Sequence, residues 1–298
     1  MEYYRKGLEI VEKYGMLNLK LVFLNNIGEA YCNLGNYNEA KKYIEEARNI
    51  AIEIKDTNII FLTSINLGLI YLATGEYGHS YNCYSILKES YAQNPNVSFE
   101  IVGQYYNFLG EFYSTFGQWD KAIEYSNKAI EFSKDFNNIE YLMSKRRLIL
   151  VKYFKTGEYD KKSMEKLLAE LTTSRLIFQR RNSLLQFGLI ALLEDDYEFL
   201  INIIDEDNEL RKQLSLLPLE YLRMILLYSA RRDKDKNRYL ENLEKEMKKH
   251  NIINLDILLN TIIATNFAKE GKYYQAINYL LEALDLIYSI IKKVPLRS

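Results

Sequence analysis

The chain has 298 residues, with 39 basic against 40 acidic side chains and 48% hydrophobic residues. This is enough apolar content to build a packed core, which argues against a disordered chain, and a net charge of -1 argues against a dedicated nucleic-acid or membrane-surface binder. Two cysteines, Cys32 and Cys83, are too few for a disulfide-stapled secreted scaffold and point to a reducing compartment.

The first segment, MEYYRKGLEIVEKYG, carries charges throughout and lacks the apolar stretch of a signal peptide. No run approaches the roughly 18–20 apolar residues that span a bilayer. The expected location is therefore cytoplasmic, with no membrane partner. Residues 2–14 read as the second helix of a pair whose first helix is missing. Tyr4, Leu8 and Val11 stand where Tyr43, Ala47 and Ile50 stand one unit later. The chain thus begins in the middle of a unit, either as an excised piece of a longer protein or as a genuine N-terminus.

From residue 17 onward the chain repeats. The first unit carries Gly28, Tyr31, Gly35 and Tyr37, the second Gly68, Tyr71, Gly75 and Tyr77, and the third Gly110, Tyr113, Gly117 and Trp119. A fourth keeps Tyr153, Gly157 and Tyr159. The last keeps Phe267, Gly271 and Tyr273, followed by Ala276, Tyr279 and Ala283. The turn glycines Gly35, Gly75, Gly117 and Gly157 are 40, 42 and 40 residues apart, and the 114 residues from Gly157 to Gly271 hold three units of 38. Two degenerate units therefore lie between, with turns near Asp195 and Asp233. The first keeps Gly188 and Tyr197 in register; in the second, Tyr228 is one residue out of phase.

Both halves of a unit have helical spacing. Leu24, Ile27, Gly28, Tyr31 and Leu34 recur at three- and four-residue steps, as do Ala40, Tyr43, Ile44, Ala47, Ala51 and Ile54. No strand-like alternation is sustained. The second glycine suits a left-handed residue that ends a helix, and Asn38, Asp120 and Asp160 fall where the next helix starts. The first glycine suits a close approach by a neighbouring helix. The expected fold is all-α: a right-handed α-solenoid of about seven helix–turn–helix units of 38–42 residues. It forms one superhelical domain over 1–298, with an orphan helix (1–16), well-matched units (17–160), degenerate units (161–250) and a last unit with a tail ended by Pro295 (251–298).

These residues resemble the tetratricopeptide repeat. Leu109–Gly110, Tyr113, Gly117, Trp119, Ala122 and Ala129 match its pattern, as do Ile27–Gly28, Tyr31, Gly35, Tyr37, Ala40 and Ala47. The units here are longer than that family's usual ~34 residues. In this they are similar to the sensory repeats of bacterial regulators, namely the intracellular peptide-pheromone receptors of the Rap, PlcR and NprR group and the maltose-regulon type of activator. The resemblance implies that first helices line a concave groove where a peptide or protein partner binds. The groove positions, counted from the motif glycine, are Asn25, Asn26 and Glu29; Ile65 and Asn66; Asn107, Phe108 and Glu111; Arg147 and Leu148; and Arg223.

Asparagine both donates and accepts, so a row of them can pair with a peptide backbone whatever its side chains. Arg147 could grip a carboxylate with two prongs. Asparagine is also abundant in this composition, so the row reads as ordinary surface as well. The 26 tyrosines read mainly as packing between helices. The runs Lys145–Arg146–Arg147, Arg180–Arg181, Arg231–Arg232, Glu194–Asp195–Asp196 and Asp205–Glu206–Asp207 alternate in sign and read as solvated turns and local ion pairs, with no nucleic-acid face.

Nothing marks a catalytic centre or cofactor site. His79 and His250 lack metal-ligand spacing, Cys32 and Cys83 read as small apolar fillers, and phosphate-loop and nucleophile-elbow motifs are missing. The expectation is a non-enzymatic, cofactor-free binding module. One version senses a short peptide for a regulator whose output domain lies outside this chain. A second is a constitutive scaffold or oligomerisation module, and a third an accessory to an enzyme elsewhere in the parent protein. The apolar run RMILLYSA after Pro218 is either a buried helix or a homodimer contact.

Overall fold

In the computed structural model the described residues are 2–93, 97–135, 138–172, 176–213, 217–230, 236–248 and 253–292. Among them all regular structure is helical, and fifteen helices follow one another. They are α1 (Glu2–Lys13), α2 (Leu17–Asn33), α3 (Tyr37–Ile54), α4 (Thr57–Ala73), α5 (Tyr77–Gln93), α6 (Phe99–Thr115), α7 (Trp119–Ser133) and α8 (Asn138–Thr156). They continue as α9 (Lys161–Glu170), α10 (Ile177–Leu193), α11 (Tyr197–Arg211), α12 (Leu217–Ala230), α13 (Lys236–Lys248), α14 (Ile253–Lys269) and α15 (Tyr273–Ile291). The chain divides into two compact units, Met1–Ser163 and Met164–Ser298. His250, Arg231, Arg232, Asp233 and Pro295 lie outside the described residues.

The even-numbered helices are the first helices of the repeats. Several of the turns close in the same way. Gly35 N–H donates to Cys32 O at 2.9 Å and Asn36 N–H to Tyr31 O at 2.9 Å, which is the paired bonding that ends a helix on a left-handed residue. Gly35 has φ 71°. Asn36 then caps α3 by accepting from Glu39 N–H, so one residue finishes one helix and starts the next. The same pair of bonds recurs at Gly75–Glu76, Gly117–Gln118 and Gly271–Lys272. It recurs also at Asp195–Asp196, where Asp195 holds φ 56° without being glycine. The degenerate repeat therefore keeps the turn after losing its glycine. Asp160 accepts from Ser163 N–H at 3.0 Å and begins α9.

Packing within the first unit gives the layers a sense. First helix packs on first helix, α2 against α4, α4 against α6 and α6 against α8, while the second helices α3, α5 and α7 make no comparable contact with one another. Elements that crowd on one side and spread on the other curve the stack, so the first helices form its inner wall. Between the layers lie Ala40, Ile44, Leu67, Ile70 and Cys83, flanked by Tyr31, Cys32, Tyr37 and Tyr71. A neighbouring cluster holds Leu21, Leu24, Ala47 and Ala51. Each buried Leu or Ile contributes about 1.5–3 kcal/mol. At Gly28 an added Cβ would meet Ile44 Cγ1 at 2.4 Å, which is the close approach that demands glycine there.

The tyrosines pack between helices as expected. Tyr113 stacks on Tyr125 at 5.4 Å and Tyr84 on Phe112 at 4.6 Å, while the Tyr84 and Tyr113 hydroxyls meet at 2.9 Å. In the second unit Ile225, Leu226 and Tyr228 of the RMILLYSA run are buried, so that run is interior.

Candidate functional site

Seven of the eight expected site residues lie on the first helices of the first unit, and six of them form two hydrogen-bonded sets. In one, Asn25 Nδ2 of α2 donates to Glu29 Oε1 one turn later at 2.9 Å. Asn66 Nδ2 of α4 donates to both Asn25 Oδ1 (2.9 Å) and Glu29 Oε1 (3.1 Å). In the other, Arg147 of α8 reaches α6: its Nε and Nη2 both lie on Glu111 Oε2, at 2.9 and 2.7 Å, and its Nη1 donates to Asn107 Oδ1 at 2.6 Å. Asn26, half-buried on α2, joins neither set.

Three further residues complete the second set. Ser144 Oγ donates to Asn107 Oδ1 at 3.2 Å, and Asn107 Nδ2 donates to Glu140 Oε2. Arg146 lies beside Glu111 and Arg147, close enough for its charge to act on both. Glu140, Ser144 and Arg147 recur at four and three residues along α8, a helical stripe that the sequence displays and that the motif-glycine count passed over.

The electrostatics follow from burial. Burial pushes the Glu111 carboxyl up, but the charges of Arg147 and Arg146 and the Arg147 hydrogen bond outweigh it, and its pKa lies below the usual value. Glu140 behaves oppositely. Burial raises it to about 7, the Glu29 charge adds to the rise, and Arg147 with the Asn107 bond offsets only part of it. The charge of Glu29 on α2 therefore acts on Glu140 of α8, which joins the two sets electrostatically. Burial also pulls the Arg146 guanidinium down to about 10.

The charge runs need correction. Arg146 and Arg147 are only 6% and 3% exposed, inside α8 and not in a solvated turn. Arg181 of α10 and Asp207 of α11 are fully buried and pair through Nε–Oδ1 at 2.7 Å and Nη2–Oδ2 at 3.0 Å. The Asp205–Glu206–Asp207 run is thus helical, whereas Glu194–Asp195–Asp196 does form a turn. Arg223, the eighth expected residue, lies in the second unit, with Nε 3.5 Å from Asp207 Oδ2 and Nη2 donating to Asn208 Oδ1.

Neither cysteine is poised as a nucleophile. Burial pushes the Cys32 thiol up to about 12 and the Cys83 thiol to about 11. His79 packs on Tyr71 with ring centroids 5.1 Å apart. Among the described residues no group of three or more His, Cys, Asp or Glu is arranged to hold a metal ion, and no helix is long and apolar enough to cross a membrane.

Residues 20–84 and 103–136 match family models of the tetratricopeptide repeat, which makes those segments repeats of that class. A 67-residue stretch is 39% identical to the mitochondrial tetratricopeptide repeat protein 19 homolog of Drosophila melanogaster, and covers 22% of this chain and 18% of that protein. The match thus spans under a fifth of that relative's length. Among solved structures, the chain is similar to a Rap protein complexed with Competence and Sporulation Factor, at TM-score 0.75 and 13% identity over 98% of this chain and 86% of that one. It is also similar to the Rap conjugation gene regulator of plasmid pLS20 in complex with the Phr* peptide, at TM-score 0.70 and 15% identity, over 96% and 80% of the two chains. A third is aspartyl phosphate phosphatase F from Bacillus subtilis, at TM-score 0.62 and 14% identity, over 94% and 73%. At these identities the likeness defines the fold: this is a tetratricopeptide-type solenoid with the fold of Rap proteins.

Proposed function

We propose that this chain is a binding module that holds a short extended peptide along the inner wall of its first unit, as the sensory part of a bacterial, cytoplasmic regulator. The observation that carries the reading is the succession of amide and charged groups on consecutive first helices: Asn25, Glu29 and Asn66, then Asn107, Glu111 and Arg147. An extended backbone offers alternating donors and acceptors, and a wall of amides can answer both. The Phr* peptide complex named for one of the similar folds supports it. Sensing follows because small rotations between stacked repeats add up along an array. Arg223 is read as a lining position of the same kind in the second unit, and catalysis is not part of the proposal.

The test uses a pool of N-acetylated synthetic pentapeptides of random sequence as probe. Binding is read as a rise in the thermal midpoint of Trp119 fluorescence, since Trp119 stands in α7 of the first unit. The pool should raise the midpoint of the wild type, and the double variant Asn26→Ala/Asn66→Ala should lose most of the rise. A wild type that ignores the pool refutes the reading.

A second reading has its own observation. On α15, Tyr273, Tyr274, Ile277, Leu281, Leu284 and Tyr288 are all more than half exposed. An apolar helix face of that kind suits a scaffold that docks a partner protein or a second copy. It predicts association unaffected by the asparagine variant.

A further inference from the structure

The turns put the repeats in register. Tyr37, Trp119, Tyr197 and Tyr273 each follow a turn with the same pair of hydrogen bonds and open α3, α7, α11 and α15. Positions counted from these aromatics are therefore comparable. Four, seven and eleven residues on, α3 has Lys41, Ile44 and Arg48, and α7 has Ile123, Ser126 and Ile130. All six are buried or half-buried, in helices that pack on the next first helix, α4 and α8. One, eight and fifteen residues on, the chain has Asp120, Asn127 and Lys134 after Trp119, and Glu198, Asp205 and Lys212 after Tyr197. These stay exposed although further repeats follow. At the same positions after Tyr37 and Tyr77, Ile52 alone is large and apolar.

α15 departs from this pattern. One, eight and fifteen residues after Tyr273 stand Tyr274, Leu281 and Tyr288, all more than half exposed. A further repeat stacked on α15 would cover Ile277, Leu280 and Leu284 and leave these three in water, as the other repeats leave theirs. At about 100° per residue the two sets join in one stripe, about 120° wide. None of its positions carries a charge. Ala276 and Ala283 are buried along one flank, and Asn278, Glu282 and Asp285 are exposed along the other.

The stripe also reads alike from both ends. Turned end for end about its middle, Tyr288 falls on Tyr273 and Tyr274, Leu284 falls on Ile277, and Leu280 and Leu281 stay at the centre. A two-fold interface makes that demand, because residue i meets j and j meets i; a helix from an unrelated protein makes no such demand. The exposed fractions amount to roughly 700 Å², taking about 200 Å² for a whole Tyr and about two-thirds of that for Leu or Ile. A stable interface takes about 800 Å² from each partner.

We propose that this stripe of α15 is the two-fold interface between two copies of the chain, packed as antiparallel helices with Leu281 on the axis. The proposal rests on the docking reading of that face and commits it to one occupant.

Sedimentation equilibrium of the full chain tests it. At about 100 μM the wild type should have twice the chain mass, since interfaces of this area hold at micromolar concentrations or below. Leu281→Glu sets two carboxylates face to face on the axis and should weaken the dimer at least about a hundredfold, as should Leu281→Lys. Leu281 is exposed, so both variants should keep the helical circular dichroism of the wild type. An equimolar mixture of the two should recover the dimer, because opposite charges then meet on the axis. A wild-type dimer that Leu281→Glu leaves intact, or a mixture that stays monomeric, overturns the interface. Species that grow beyond the dimer mark a head-to-tail contact and overturn it too. A monomeric wild type overturns the second copy as occupant and leaves the docking of another protein standing. If that monomer also binds no more 8-anilinonaphthalene-1-sulfonate than Leu281→Glu does, the docking reading falls with it.

Discussion

Asp207→Ala puts the buried charges of the second unit to a quantitative test. Asp207 and Arg181 are both inaccessible to water and joined by two hydrogen bonds, at 2.7 and 3.0 Å. Arg181 Nη2 also reaches Glu220 Oε1 at 3.1 Å, and Arg223 leans on Asp207 from 3.5 Å. Removing the carboxylate strips the main counter-charge from a guanidinium that cannot return to water without opening the helix packing. Breaking such a pair from one side costs about 3–5 kcal/mol. In a body of this size each kcal/mol moves the midpoint by about 2–5 °C, so the second unit should melt on the order of 10–20 °C lower. The double variant Arg181→Met/Asp207→Leu removes both charges together and should be close to neutral or stabilising. It leaves Glu220 paired with Arg211 at 2.5 Å and Arg223 bonded to Asn208. Urea unfolding followed by far-UV circular dichroism reads the whole chain, while Trp119 fluorescence reads the first unit. A loss below about 1 kcal/mol for Asp207→Ala, or a double variant as damaged as the single one, would refute the account of the pair as buried and mutually dependent.

Other consequences are more local. The Glu140 carboxyl binds its proton more tightly folded than unfolded. Its contribution is therefore complete below the ordinary Glu value and is lost as pH rises toward 7, at no more than about 1.4 kcal/mol per pH unit. Glu140→Gln should flatten the stability profile in that window and gain on the wild type above it; an unchanged slope in urea melts across pH 4–8 refutes the assignment. Gly117 holds φ 68°, so Gly117→Ala should cost about 1–2 kcal/mol by equilibrium unfolding. With their thiols held at about 12 and 11, Cys32 and Cys83 should react with a disulfide reagent more than about a hundredfold slower than a free cysteine until the chain is unfolded.

The repeat was legible because a turn is a local requirement. Gly35, Gly75, Gly117 and Gly271 each occupy a left-handed position that other residues avoid, and the following residue both closes one helix and opens the next. Those constraints act over five residues, so their spacing survives in one dimension, and even the Asp195 turn could be placed by counting. The site was legible in part. Asn25, Glu29, Asn66, Asn107, Glu111 and Arg147 do sit on the inner helices, but their choice of one another as partners could not be read from spacing. Arg146 was misplaced outright. In a string of letters Lys145–Arg146–Arg147 looks like a solvated run, and the helices that enclose the second and third of these residues come from other repeats.

What the amino-acid order determined by itself was the succession of paired helices and the position of the breaks at Gly35, Gly75, Gly117, Asp195 and Gly271, because backbone conformation and helical periodicity are settled among near neighbours. Only the tertiary structure decided which polar groups are satisfied and which are left over. That depends on distances between residues some forty positions apart, where burial removes water and makes the presence or absence of a single counter-charge worth more than any local preference.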